Sequence, residues 1–142
     1  DRKRKIQQRE KLEKQREKLL KDQDAYAKQK GKFFGILFTD GNLKIKTIES
    51  VEEFMKEGDT LHHCVFTNEY YKKPEALILS ARIDNKPIET IEVSLKNFEI
   101  VQSRGYKNKP TEYHDQIINL VRKNIKVIQE KKTEKGRQKI AV

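Results

Sequence analysis

One cysteine, no tryptophan, three prolines and six glycines occur in 142 residues. The lone Cys64 excludes an internal disulfide, which points to a reducing compartment and a cytoplasmic setting. Long apolar runs are missing as well. The longest, FFGILF at 33–38, falls far short of the roughly 20 residues a membrane helix needs, so no membrane partner is expected. No secretory signal is visible, and the first residue is Asp1 rather than Met, so the sequence reads as a piece of a longer product. There is no glycine-rich phosphate loop, no Walker pattern and no paired acidic motif for magnesium, and nothing calls for a cofactor.

Charge is what the chain has most of. Charged residues make up 38% against 35% hydrophobic, with a net charge of +10, so the apolar core is confined to part of the chain. Residues 1–32 carry 13 Lys/Arg against 6 Asp/Glu, and residues 121–142 carry 8 against 2. The middle is mildly acidic, with 11 against 14. This divides the chain into a basic helical arm at 1–32, a domain at 33–130 and a basic tail at 131–142.

The arm has no Gly or Pro for thirty residues and predicts a long solvated helix ending before Gly31. Leu12, Leu19 and Tyr26 recur every seven residues. Arg9, Arg16 and Gln23 sit where a heptad seam would need apolar groups, so a coiled coil is not expected. The thin stripe could still lie in the groove of a larger protein assembly through residues 1–30.

Beyond residue 32, Asp40-Gly41-Asn42 between two apolar runs predicts a hairpin. Ser50 with Glu53 forms a capping box for a helix that Gly58 should stop. A second helix is expected over LHHCVFTNEYY, capped by Asp59 or Thr60 and finished before Pro74. ALILSARI, PIETIEVSL and FEIVQSR predict a three-stranded meander, followed by a helix from about Thr111 with Ile117, Leu120, Val121, Asn124, Ile125 and Ile128 on one stripe. The expected fold class is α+β, an antiparallel sheet of hairpin plus meander packed with short central helices and a C-terminal helix.

The stretch GDTLHHCVFTNEYY holds the most reactive residue types. On a helix Cys64 would face the core with Leu61 and Val65, and His63 would point about 100° away from it. Adjacent His62, His63 and Cys64 do not have the spacing of a zinc site, and no metal is expected. His63 is the member expected to reach a site at the polar end of the sheet.

LHHCV followed by Tyr70, then LILSAR, PIETIEV, IVQSRG and Asn108, resembles the PcfJ-like family of conjugative plasmids, phages and related mobile elements. Residue by residue the resemblance falls on His63, Cys64, Val65, Arg82, Thr90, Glu92, Gln102, Arg104, Gly105 and Asn108, over roughly residues 59–125. The chain departs from the pattern at Ser103, where Cys or Ala is expected. The resemblance implies a mobile-element context more firmly than a reaction.

Strand alternation puts Thr90, Glu92 and Ser94 on one face and Ile91, Val93 and Leu95 on the other. A two-residue loop at Lys96-Asn97 would set Val101 opposite Glu92. A three-residue loop would set Gln102 there and Arg104 opposite Thr90, gathering one polar patch. Catalytic candidates are then Glu92 as general base, His63 as its acid or base partner, Gln102, and Arg104 as anion stabiliser in a hydrolase or transferase. Gly105 is expected at a turn with positive φ. RGYKNK, with Arg104, Tyr106, Lys107, Asn108 and Lys109, suits nucleic-acid backbone contact plus one stacking ring. No helix-turn-helix, zinc-finger or RNA-recognition signature accompanies it.

Overall fold

The computed structural model describes residues 1–134, so most of the predicted tail at 131–142 lies outside the described residues. Helix α1 (Arg2–Lys30) leads through a short 3₁₀ turn into β1 (Leu37–Asp40) and β2 (Leu43–Thr47). Helix α2 (Val51–Leu61) precedes β3 (Ala76–Ile83), β4 (Lys86–Ser94) and β5 (Ile100–Arg104), and α3 (His114–Lys123) and α4 (Ile125–Thr133) close the chain. The five strands form one antiparallel sheet in the order β1-β2-β3-β4-β5. Hairpin and meander are therefore joined through the β2–β3 pair, and the class is α+β.

Local chemistry explains the turns. Asp40 pairs with Leu43, and Gly41 at φ 60 takes the first central position of the two-residue loop, the arrangement of a type II′ turn. Asp84 and Asn85 both have positive φ between Ile83 and Lys86, as a type I′ turn requires. Asp and Asn tolerate this conformation better than other side-chain-bearing residues.

Each face of the sheet is covered. Leu77, Leu79, Ala81, Ile91 and Val93 point to one face and pack against Ile117, Leu120, Val121 and Ile128 of α3 and α4. Ala76 and Ile78 point to the other, among Tyr26 of α1 and Val51 and Phe54 of α2. This is why β3 reads as a nearly unbroken apolar run: it is central and buried on both sides.

Residues 1–17 of α1 are all exposed, but the last turns of the helix belong to the domain. Tyr26 is buried among Phe34, Phe54 and Tyr71, and its hydroxyl donates to Ile48 O. Gln23 Oε1 accepts the first free amide of α2, from Val51, at 2.8 Å. Lys30, 1% exposed, donates its ammonium to Lys73 O at 2.8 Å and to Ala76 O. Burial lowers its pKa to about 8. The stripe Leu12, Leu19 and Tyr26 is thus divided: Leu12 is exposed, Leu19 packs against the domain, and Tyr26 is core.

Three local expectations need correction. Ser50 Oγ does accept Glu53 N–H at 3.0 Å, and Glu53 reaches back to the amide of Glu49 at 2.9 Å. The helix then runs through Gly58 to Leu61 and ends at His62, in the left-handed conformation with φ 51. A Cβ on Gly58 would meet His63 O at 3.3 Å and Phe66 Cβ at 3.5 Å, so this glycine makes room for the following turn instead of stopping the helix. The second helix over 59–71 does not form. Residues 63–69 are turns closed by Asn68 N–H to Cys64 O and Tyr70 N–H to Val65 O, ahead of a 3₁₀ turn at Tyr70–Lys72. Finally, the C-terminal helix starts at His114 and breaks at Asn124, whose side-chain amide captures Leu120 O at 2.9 Å and competes with the helical ladder.

Candidate active site

On the α2 side of the sheet the apolar packing gives way to polar groups. Glu57 is wholly buried on the apolar face of α2 and accepts Ser80 Oγ at 2.8 Å and Thr90 Oγ1 at 2.6 Å. Arg82, on the same strand as Ser80, donates to Ser80 Oγ at 3.2 Å and places its guanidinium 3.9 Å from Glu57. Desolvation outweighs these favourable partners and pushes the Glu57 carboxyl up to about 7.

The turn after α2 carries His63 onto the same strand, with its Nε2 2.8 Å from Thr90 Oγ1. When Glu57 is ionised, the single Thr90 hydroxyl hydrogen goes to its carboxylate. Thr90 then accepts from His63 Nε2–H. In that state the imidazole is the Nε2–H tautomer with an unprotonated Nδ1, a buried atom with no hydrogen-bond partner among the described residues. Burial lowers the His63 pKa below its ordinary 6.5, so the ring is neutral near pH 7. Glu57, Thr90 and His63 form a continuous carboxylate–hydroxyl–imidazole chain from the interior to a pocket.

That pocket encloses about 170 Å³. Beside His63 and Thr90 it is lined by Glu92, Gln102, Arg104 and Asn108, with Cys64, Val65, Asn68, Tyr70 and Ile78 completing it. The β4–β5 ladder sets Arg104 opposite Thr90 and Gln102 opposite Glu92. Of the two registers the sequence allowed, this is the one expected of a three-residue loop, yet a different device produces it. Ser94 N–H donates to Glu99 O across a four-residue loop, and one extra residue, Val101, bulges between Ile100 and Gln102. Gln102 Nε2 donates to Glu92 Oε1 at 3.0 Å and to Tyr70 Oη at 3.3 Å. Lys73 lies 3.8 Å from Glu92 and over the Tyr70 ring at 3.9 Å.

The four catalytic candidates His63, Glu92, Gln102 and Arg104 therefore line one pocket, and of the RGYKNK set Asn108 joins them. Tyr106 packs edge-on against His62 at 4.9 Å, while Lys107 and Lys109 are exposed beyond the pocket lining. Cys64 is exposed, contrary to the core position that helical spacing assigned it. Its segment is not helical, so the spacing did not apply. Gly105 has φ −98, not positive. A Cβ there would stand 2.7 Å from Ile88 O and 2.9 Å from Lys109 O, so only glycine fits between these two backbones.

A second buried carboxylate holds the RGYKNK loop from the far face. Glu89 accepts Ser103 Oγ at 2.7 Å, Thr111 Oγ1 at 2.6 Å and Thr111 N–H at 2.8 Å, and its Oε1 lies 2.8 Å from His114 Nδ1. Both ends of the loop are tied to one side chain. The serine that departs from the family pattern, Ser103, is one of those ties. Sequence reasoning missed Glu57 and Glu89. Their signal was a carboxylate on an apolar face: Glu57 beside Phe54 and Leu61, and Glu89 in alternation with Ile91 and Val93.

Fold and site together define a small α+β domain with a histidine-centred polar pocket fed by a buried carboxylate. The chain belongs to the PcfJ-like protein family, whose model matches residues 1–118. The match takes in the whole of α1, which the resemblance over 59–125 had left outside. No curated protein and no solved structure matches the chain. Among the described residues no helix is long and apolar enough to cross a membrane.

Proposed function

We propose that the domain is a mobile-element accessory, of conjugation or phage, that acts on or beside nucleic acid in the cytoplasm through its basic segments. The observation that carries this reading is the free end of α1. Residues 1–17 stand exposed on every side and carry eight Lys/Arg against four Asp/Glu, along about 25 Å of helix. A basic rod of this kind suits phosphate backbone contact that weakens steeply with salt. The mobile-element setting rests on what the resemblance to the PcfJ-like family implies.

Fluorescence anisotropy with labelled single- and double-stranded DNA and RNA tests this. The full chain should bind at low salt and release as salt rises, and a chain lacking residues 1–17 should lose most of that affinity. Undiminished binding by the shortened chain would remove the helix from the reading.

A second reading, a small hydrolase or transferase, is favoured by the Glu57–Thr90–His63 chain. His63 is neutral at pH 7 and held by Thr90 at the pocket wall, so a small opening of the pocket that uncovers Nδ1 would make it a general base. Glu92 and Arg104 supply a carboxylate and a cation within the same pocket. Loss of turnover in His63→Ala and Glu92→Ala, on any phosphodiester or glycoside the protein cleaves, would establish it.

A further inference from the structure

The pocket volume of about 170 Å³ is well below the roughly 300 Å³ at which drug-sized sites begin. It holds one ring-sized group. Its lining includes a carboxylate and three amides, Glu92, Gln102, Asn68 and Asn108, together with the apolar groups of Val65, Ile78 and Tyr70. Gln102 has committed its amide nitrogen to Glu92 and Tyr70, so its carbonyl oxygen, together with Glu92 Oε2, which has only the Lys73 ammonium at 3.8 Å, is an acceptor that calls for N–H donors on a ligand. Asn108 and Arg104 supply donors nearby.

A planar heterocycle with an exocyclic amino group answers this pattern: glutamate accepts from the cytosine amino group, and glutamine pairs with the adenine edge. Arg104, at the pocket wall, and the exposed Lys107 and Lys109 beyond it follow one another along the loop that Glu89 holds in place. Cations at this spacing suit the phosphates flanking an inserted base. A base in a duplex is shielded by its neighbours, whereas an unpaired one can be turned out into a pocket at little expense.

We propose that the pocket admits a single unstacked, amino-bearing base (cytosine, adenine or guanine) of a single-stranded nucleic acid, with Glu92 and Gln102 reading its edge and Arg104, Lys107 and Lys109 holding the adjoining phosphates. This rests on the nucleic-acid reading above and names its substrate class.

The test is anisotropy of the full chain against oligo-dC, oligo-dA, oligo-dT and an abasic strand of equal length. The wild type is compared with Glu92→Gln and Asn108→Ala. Oligo-dC and oligo-dA should bind roughly five- to tenfold more tightly than oligo-dT or the abasic strand, the discrimination of one side chain–base pair. Glu92→Gln should erase the preference for oligo-dC over the abasic strand, which generic base stacking would not produce. Equal affinity for all four strands overturns base insertion while leaving the nucleic-acid reading intact. Absence of binding to any strand overturns the nucleic-acid reading. The pocket is then judged by NMR titration with cytidine monophosphate: shifted Gln102 and His63 signals sustain base binding, and unshifted ones end it.

Discussion

The hydroxyl of Thr90 donates to the carboxylate of Glu57 at 2.6 Å in a place where Glu57 has no exposure to solvent. This contact joins the middle helix to the fourth strand and couples a buried charge to the pocket. Its consequences are measurable in stability as well as in chemistry.

Stability should fall as pH rises through the titration of Glu57. The folded carboxyl titrates near 7 against an ordinary 4.5, so the folded state holds its proton more tightly than the unfolded chain. The favourable contribution is complete below about 4.5 and lost by about 7, a change on the order of 3 kcal/mol. Urea unfolding of wild type and Glu57→Gln at several pH values isolates it. The difference between the two proteins should shrink or reverse across this window, and a pH-independent difference would refute the assignment.

His63 should titrate below 6.5 and, above about pH 7 where Glu57 is ionised, carry its proton on Nε2. Nitrogen NMR distinguishes the two tautomers directly. Thr90→Val removes the acceptor and should abolish the tautomer preference while leaving the fold in place. A wild-type ring protonated on Nδ1 would break the proposed direction of the chain.

Two glycines should respond oppositely to alanine. Gly105→Ala forces a Cβ into Ile88 O and Lys109 O, both backbone atoms, and should destabilise by about 1–3 kcal/mol. Gly31 has a helical backbone and nothing within 4 Å of a built Cβ, so Gly31→Ala should be neutral or stabilise by about 0.5 kcal/mol. Chemical denaturation of both variants decides the matter.

Deleting residues 1–17 should change stability by no more than about 0.5 kcal/mol. Deleting 1–30 removes Tyr26, Gln23 and Lys30 from the domain and should lose more than about 3 kcal/mol. A binding defect in the longer deletion alone would therefore report unfolding, which circular dichroism of both chains would reveal.

Much of the fold was legible because turn chemistry is local. Asp40-Gly41-Asn42 and Asp84-Asn85 demand particular backbone angles, and Ser50 with Glu53 satisfies helix amides wherever the helix goes. The misreadings came from steps that depend on distant contacts. Gly58 looked like a terminator, but its lack of a side chain serves the turn packed against it. With His62 turned left-handed, the helical spacing that placed Cys64 in the core had no helix to act on. The polar residues of β4 and β5 were visible as alternation, but the bulge at Val101 that aligns them leaves no local signature. Glu57 escaped notice because a carboxylate facing a core is paired by Ser80 and Arg82, far away in sequence.

Neighbouring residues of β4 serve opposite sides of the sheet: Glu89 is satisfied by the loop and α3, and Thr90 by Glu57 and His63. A slip of one residue in strand pairing would exchange the two, putting a carboxylate against the Glu57 carboxylate and leaving Ser103 and Thr111 without an acceptor. An apolar strand could tolerate such an error as a loosely packed alternative, whereas here each misaligned state buries unpaired charge. The polar pair thus sets an energetic penalty on near-native misalignments of β4, the strand from which the pocket is built.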